Sequence, residues 1–241
     1  MKTLAPHLKA LVFDYGNTLI EFGPQQVESC DRALSAALTQ MFGQHDFEKL
    51  TAMQHHERRS PYSGEFIEND LRDITRRLVR LLYEKDPTNE QLDELLDVRF
   101  QAMTSAVRVD DHVHELLERL AGRYRLGLIS NYPCSRSIMH SLRQHNLERW
   151  FESVVVSADV GRVKPHPSLF ELLTKQMGIE PGHALFVGDN WLGDIQGAKR
   201  FGMRAALTTQ YVPYEKFDRE PGDHEPDLKI THLLELAGLV D

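Results

Sequence analysis

The stretch LKALVFDYGNT, residues 8–18, decides the fold class that this sequence predicts. Its apolar run, Leu11–Phe13, ends at the acidic residue Asp14, and a small polar turn containing Gly16 follows. A short apolar run bounded by polar turn residues is typical of a strand that is buried on both faces of a sheet. Asp14 then lies at the carboxyl end of that strand, where open parallel sheets bind their ligands.

Further short apolar runs alternate with longer amphipathic stretches along the chain. The other predicted strands are Leu126–Ser130, Val154–Ser157, Ala184–Val187 and Ala205–Leu207, and the predicted helices around them are Asp111–Leu120, Pro167–Met177 and Asp194–Phe201. The tail from Pro226 adds a short strand, Leu228–Ile230, and a closing helix. This alternation indicates an α/β fold whose parallel sheet is covered by helices on both faces.

The segment between the first and second predicted strands is much longer than a simple crossover, which needs about a dozen residues. Its periodicity is helical over Val27–Leu38, Phe66–Tyr83 and Asn89–Met103. The sequence HHERRSP, residues 55–61, interrupts the periodicity and predicts a loop or a helix end. We therefore expect residues 21–107 to form an inserted α-helical cap, and residues 1–20 and 108–241 to form the core.

Composition and charge exclude several classes of protein. The 241 residues, 41% of them hydrophobic, suffice for one core and a smaller inserted unit. The net charge of −8 comes without a basic cluster, so nucleic acid is not an expected partner.

Cys30 and Cys134 form no CxxC motif, which favours a reducing compartment. The first residues contain neither a signal-peptide core nor a membrane span, so we expect a cytoplasmic protein without membrane contact. Oligomeric state stays open.

Polar residues end or closely follow four of the predicted strands. They are Asp14 after the first, Ser130 and Asn131 at the second, Lys164 in GRVKPHP after the third, and Asp189 with Asp194 in GDNWLGD after the fourth. Three carboxylates at one sheet edge repel each other unless a cation neutralises them, and Mg²⁺ prefers such oxygen ligands. Lys164 and Ser130 would offer a charge and a hydroxyl to phosphate oxygens. Asp194 also begins a predicted helix, where an aspartate can serve simply as a cap.

In their order and spacing these motifs resemble those of the haloacid dehalogenase-like hydrolases. That family has D-x-D-x-T after a hydrophobic strand, a Ser or Thr that ends a second strand, a Lys, and GD followed by a further Asp. The corresponding residues here are Asp14 with Thr18, Ser130 with Asn131, Lys164, and Gly188-Asp189 with Asp194. The resemblance covers nearly the whole predicted core and implies a Rossmann-like sheet. A helical insert after the first motif is the arrangement of the family's helical-cap members.

The resemblance also implies a magnesium-dependent phosphatase that acts on a small phosphorylated metabolite through an aspartyl-phosphate at Asp14. The implied catalytic residues are Asp14, Ser130 and Lys164, the substrate contacts are Asn17, Thr18 and Asn131, and the metal site consists of Asp14, Asp189 and the backbone carbonyl of Gly16, with Asp194 behind these ligands.

The chain departs from the family at Gly16, where the second aspartate of the first motif usually acts as general acid and base. Loss of such proton transfer typically lowers a rate by about 10²–10⁴-fold. Alkyl phosphates, whose leaving groups need a proton, should suffer more than aryl or acyl phosphates. Candidate replacement acids near the cap are Glu21, His55, His56 and Tyr62, with histidine favoured because it titrates near neutral pH.

Three other functions stay open: a 2-haloacid dehalogenase, a phosphonatase-like hydrolase, and a non-catalytic phosphate-binding regulatory protein. Dehalogenases of the family work without metal and usually carry Ser-Ser-Asn where this chain has Gly188-Asp189-Asn190, which favours the magnesium-using branch. Phosphonate cleavage needs a cap lysine, and the cap offers only Lys49 and Lys85. A binding protein would gain little from a nucleophilic carboxylate beyond its contribution to a metal site.

Overall fold

The computed structural model describes residues 7–212 and 219–240, and within them the chain forms six strands and ten α-helices. Residues 1–6, 213–218 and 241 of the predicted core lie outside the described residues. The strands are β1 (Ala10–Phe13), β2 (Arg125–Ser130), β3 (Ser153–Val156), β4 (Ala184–Gly188), β5 (Arg204–Thr208) and β6 (Leu228–Ile230). They form one parallel sheet in the order β3-β2-β1-β4-β5-β6, which confirms the predicted α/β class.

Four of these helices lie in the long segment between β1 and residue 107, and six follow that segment. The first group is α1 (Pro24–Phe42), α2 (Phe47–Arg59), α3 (Leu71–Tyr83) and α4 (Asn89–Ala106). The second is α5 (Asp111–Ala121), α6 (Ser135–Gln144), α7 (Ser157–Val160), α8 (Pro167–Met177), α9 (Gly197–Phe201) and α10 (Leu234–Leu239). In the part of the chain that the structure describes, no helix is long and apolar enough to cross a membrane.

Helices cover both faces of the sheet because successive side chains of each strand point to opposite sides. Leu11 and Phe13 of β1 join a buried cluster with residues of α5, α6 and α10. Ala10 and Val12, from the same strand, join a second cluster with residues of α8 and α9. All four side chains are fully buried, which explains why β1 reads as a continuous apolar run.

The four inserted helices have an apolar core of their own. Its buried members are Leu34, Leu38, Leu50, Ile74, Leu78, Val79 and Leu95. Helix α1 packs against α4, and α3 packs against both α2 and α4. An amphipathic helix is stabilised mainly by burying its apolar stripe, and here the stripes face one another. The fold class with an inserted helical unit is thus confirmed, while the boundaries 21–107 stay a prediction.

Two local predictions in this unit were wrong. His55 and His56 belong to the body of α2 and not to a loop, and the break comes later, in the 3₁₀ turn Ser60–Ser63. Helix α2 buries only Leu50 and Gln54, so its apolar periodicity is weak; Asp46 begins it by accepting hydrogen bonds from the backbone of the first turn. Helix α3 begins at Leu71 and not at Phe66, because Asp70 caps it.

A short stretch between α2 and α3 pairs with the core directly before Lys164. Ile67 forms an isolated antiparallel bridge with Arg162. The backbone N–H of Glu68 donates to Gly161 O at 3.1 Å, and that of Val163 donates to Phe66 O at 2.8 Å. The inserted helices are therefore hydrogen-bonded to the loop that carries one of the predicted site residues.

Candidate active site

Most of the predicted site residues meet where the strand order reverses, between β1 and β4. Asp14 directly follows β1, and Asp189 directly follows β4, its neighbour in the sheet. The Asp14 backbone N–H donates to Val187 O at 2.9 Å, which continues the ladder to the strand tip. A cavity of about 190 Å³ opens there. Its lining includes Asp14, Gly16, Asn17, Ser130, Asn131, Lys164, Asp189 and Asp194 from the predicted set, together with Tyr62 from the inserted unit.

Lys164 lies at the bottom of this cavity and is only 2% exposed. Its Nζ lies 2.6 Å from Asp14 Oδ1 and 2.7 Å from Asp194 Oδ1, and it donates to the carbonyl of Ile129 at 3.0 Å. Burial disfavours its charged form, but the charges of Asp14 and Asp194 outweigh this effect and raise the pKa of Lys164. The lysine therefore stays protonated beside the predicted nucleophile.

Asn131 holds the backbone of Lys164 from the end of β2. Its Oδ1 accepts from the Lys164 N–H at 2.8 Å, and its Nδ2 donates to the Lys164 carbonyl at 3.1 Å and to Tyr62 Oη at 3.0 Å. These contacts occupy most of the capacity of the amide. The geometry thus gives Asn131 a positioning role toward Lys164, in addition to its place in the cavity wall. Ser130, only 4% exposed, lines the cavity as the last residue of β2.

Asp194 belongs to a π-helical turn, Trp191–Gln196, that precedes α9. The prediction that a helix starts at Asp194 was wrong, because Asn190 caps the turn through a 2.7 Å bond from the Gly193 N–H. Asp194 Oδ2 accepts from the Asn190 N–H at 2.9 Å, while Oδ1 faces Lys164. Both carboxylate oxygens are engaged, so Asp194 orients the lysine and the turn at the cavity floor.

The three aspartates form a buried acidic cluster. Ligand oxygens of Asp14, Asp189 and Asp194 all lie within 4.8 Å of one another. Burial raises the pKa of Asp14 to about 6, despite the opposing effect of Lys164. Burial, with the charges of Asp14 and Asp194, raises the pKa of Asp189 well above its ordinary value. Three carboxylates and one ammonium leave two formal negative charges, so the donor set fits one divalent, oxygen-preferring cation such as Mg²⁺.

The turn after β1 brings Gly16 and Asn17 to the cavity but not Thr18. Asn17 adopts a left-handed φ of 57°, and its Oδ1 accepts from the Phe22 N–H at 3.0 Å. Thr18 is fully buried beneath the turn and is not part of the cavity lining, so a direct substrate contact from its side chain is not supported. Its Oγ1 has no hydrogen-bond partner within the described residues.

Of the four candidate replacement acids, Tyr62 is the one in the cavity wall. His55 and His56 are exposed on α2, and Glu21 is exposed after the turn. Tyr62 Oη accepts from Asn131 and so keeps its own proton to donate toward the cavity. Burial raises the pKa of Tyr62, which makes it a persistent hydrogen-bond donor and a weak acid. The preference for a histidine rested on its titration range alone, which carries no positional information.

A family model described as haloacid dehalogenase-like hydrolase matches residues 12–208, which include every residue of the cavity floor described above. The chain belongs to this family. A 2-haloacid dehalogenase from Pseudomonas syringae pv. Tomato DC3000 has a fold similar to that of this chain, with a TM-score of 0.76 and 23% identity over 97% of this chain and 98% of that chain.

Several curated relatives carry phosphatase names, and two of them represent the group. A glyceraldehyde 3-phosphate phosphatase from Methanopyrus kandleri is 32% identical over 130 residues, 54% of this chain and 55% of the relative. The phosphoglycolate phosphatase of Escherichia coli strain K12 is 35% identical over 133 residues, 53% of this chain and 50% of the relative. The chain thus spans about half the length of the curated relatives that it matches.

Proposed function

We propose that this chain is a magnesium-dependent phosphatase for a small phosphorylated metabolite, with Asp14 as the nucleophile. The observation that carries the proposal is the joint placement of Asp14, Lys164 and Asp189 around one cavity at the switch point of the sheet. The phosphatase names of the relatives support the same substrate class. The free cysteines, Cys30 and Cys134, agree with the cytoplasm as the expected compartment.

In the proposed reaction a carboxylate oxygen of Asp14 bonds to phosphorus while the bond from phosphorus to the leaving oxygen breaks. Water then attacks the phosphorus of the aspartyl-phosphate, releases inorganic phosphate and restores Asp14. Magnesium, held by Asp14, Asp189 and the Gly16 carbonyl, would offset negative charge on the phosphate oxygens. Lys164 adds a fixed positive charge beside the nucleophile, in a buried setting where electrostatic stabilisation is strong.

The leaving oxygen receives less help than in a site with a carboxylic acid, because Gly16 has no side chain. Tyr62 is the hydroxyl group that the inserted unit presents to the cavity, and its proton is free for the leaving oxygen. A phenol whose pKa is raised stays protonated and can therefore donate a hydrogen bond, but it transfers its proton to a leaving oxygen poorly. We therefore assign aryl and acyl phosphates as better substrates than alkyl phosphates.

The alternative functions have weaker support. Asp189 in the carboxylate cluster argues for a metal-using reaction over metal-free dehalogenation. Lys49 Nζ donates to the carbonyl of Leu81 on the cap surface, and neither Lys49 nor Lys85 lines the cavity, which disfavours Schiff-base chemistry on a phosphonate. A non-catalytic binding role predicts no turnover of any of these substrates.

The test is turnover of p-nitrophenyl phosphate, acetyl phosphate and 2-chloropropionate with and without Mg²⁺. We expect the two phosphates to be hydrolysed only with Mg²⁺ and the haloacid not at all. Asp14→Asn should abolish the activity, because an amide is a poor nucleophile and a weaker metal ligand, whereas Asp159→Asn, on the exposed surface, should retain it. Turnover that survives in a folded Asp14→Asn protein would remove Asp14 from the mechanism.

A further inference from the structure

A second cavity, of about 330 Å³, lies beside the catalytic cavity on the side of the inserted helices. The two cavities share Phe22, Tyr62, Asn131 and Tyr132 in their linings. The wall of the second cavity is largely apolar and includes Val27, Leu71, Ile74, Pro133 and Val163. The two cavities are therefore adjacent along this shared wall.

One charged group in this wall lacks a charged partner. Arg99 of α4 donates from Nη2 to Gln54 Oε1 at 3.2 Å, and its Nη1 is buried without a hydrogen-bond partner among the described residues. No carboxylate in residues 7–212 or 219–240 forms an ion pair with it. A buried N–H of a charged group that has no acceptor is unfavourable, because it has lost its hydrogen bonds to water without a replacement. An arginine in this condition is suited to receive an anion.

The acids around the same cavity already have partners. Asp31 accepts from Arg58 at 2.9 Å and from Gln54 Nε2 at 3.2 Å. Glu57 is paired with Arg77 at 2.6 Å. Arg99 is thus the surplus positive charge in this part of the wall.

Glu68, a further acid of the wall, accepts hydrogen bonds from Ser157 Oγ and from the Asn69 N–H. Both of its carboxyl oxygens are thus engaged by groups other than Arg99.

We infer that Arg99 binds a carboxylate carried by the substrate, so that the substrate is a phosphorylated carboxylic acid whose carbon skeleton lies in the second cavity. This inference rests on the proposed function. A single carboxylate matches the one guanidinium of this wall that has no ion pair within the described residues, whereas a second phosphate would leave excess negative charge among apolar side chains. The apolar wall suits the hydrocarbon part of such an acid and offers little to a polyhydroxylated sugar phosphate.

The test compares pairs of substrates that differ only in this charge. Phosphoglycolate, 3-phosphooxypropanoate and 4-phosphooxybutanoate are each measured against the corresponding amide, with Mg²⁺. We expect the wild-type enzyme to prefer at least one acid over its amide by tenfold or more in kcat/KM, mainly through KM. In Arg99→Gln that ratio should fall close to one. Arg76→Gln, which removes an arginine paired with Asp73 on the cap surface, is the control for net charge and should keep the wild-type ratio.

Two outcomes would overturn the inference: a wild-type enzyme that treats acids and amides alike, or a folded Arg99→Gln protein that keeps the preference. Calorimetric binding of 4-phosphooxybutanoate and its amide to the same variants separates this result from the proposed function. Arg99-dependent binding of the acid without turnover would support the carboxylate site and reject the phosphatase. Turnover of phosphate esters without any dependence on Arg99 would support the phosphatase and reject the carboxylate site.

Discussion

Gly16 is the residue at which the proposed chemistry of this chain departs from the motif pattern of the family. Its backbone does not need glycine, because φ lies outside the left-handed region that five other described glycines occupy. A Cβ at this position would meet only Phe22 Cβ, at 3.9 Å, which is an ordinary van der Waals contact. The cavity can thus accept a larger side chain at residue 16 without backbone strain.

We therefore expect Gly16→Asp to fold and to increase turnover of alkyl phosphates relative to aryl phosphates. The added carboxylic acid would protonate the leaving oxygen, an effect worth about 10²–10⁴-fold where such a group is well placed. The measurement is a plot of log kcat/KM against leaving-group pKa for both proteins. The variant should show the shallower slope; equal slopes in two folded proteins would mean that another group already supplies the proton.

Asp189 provides a test of the metal site that does not depend on turnover. In the protein without metal its charge is disfavoured by burial and by Asp14 and Asp194. Asp189→Asn removes this repulsion, so the metal-free variant should be at least as stable as the wild type. Mg²⁺ should raise the melting temperature of the wild type by mass action and should raise that of the variant much less. An equal rise in both proteins would show that Asp189 does not bind the ion.

At the scale of secondary structure, the junction of β4 and the π-helical turn sets the position of Asp194. Gly188 ends β4, and a Cβ there would collide with the Asp194 carboxylate. Asp194 in turn accepts from the Asn190 N–H and faces Lys164. The glycine in the GD pair is required for close approach of these two segments.

Gly188→Ala should therefore displace Asp194, lower stability by about 1–3 kcal/mol as overpacked sites do, and weaken activity through Lys164. Gly182→Ala is the matched control, because no atom lies within 4 Å of the Cβ that it would add. Urea unfolding and the Mg²⁺ concentration for half-maximal activity are the measurements. Indistinguishable values for the two alanine variants would mean that the turn adapts without loss.

At the scale of the whole molecule, Glu68 joins the inserted helices to the core. Its carboxyl group accepts from Ser157 Oγ, at the start of α7, next to the bridge between Ile67 and Arg162. Burial is the main reason that the pKa of Glu68 is raised, and the hydrogen bonds from Ser157 and Asn69 only partly oppose it. The folded protein thus binds a proton at this contact more tightly than the unfolded chain does.

A raised carboxyl pKa contributes stability that is fully present below the unfolded-state pKa and is lost as the pH rises through the folded-state pKa. Glu68→Gln should therefore gain in stability relative to the wild type as the pH rises from acid toward neutral. Glu65→Gln, an exposed acid of the same loop, should follow the wild-type curve. The measurement is the free energy of unfolding in urea across this pH range. Parallel curves for all three proteins would show that Glu68 does not titrate at this contact.

The strands and the floor of the site were predictable from the sequence, and the cap contacts were not. Strand β1 had to be apolar throughout because helices cover both its faces, so the polar residue at its end, Asp14, stood out. Helix α2 was missed because it buries only two residues and carries little periodic signal. Arg99 had no signal at all, since one arginine within an amphipathic helix looks like any solvated side chain.

The sequence by itself therefore determined the parallel α/β core, the inserted helical unit and the group of polar residues that converge on Asp14. It could do so because burial of a strand leaves a local pattern of residue types. Only the tertiary structure decided that Tyr62, and neither His55 nor His56, lines the cavity at Asp14 and that Arg99 borders a second cavity. These placements depend on how the inserted helices pack against one another and against the loop before Lys164, through contacts between residues far apart in the chain, which leave no local pattern.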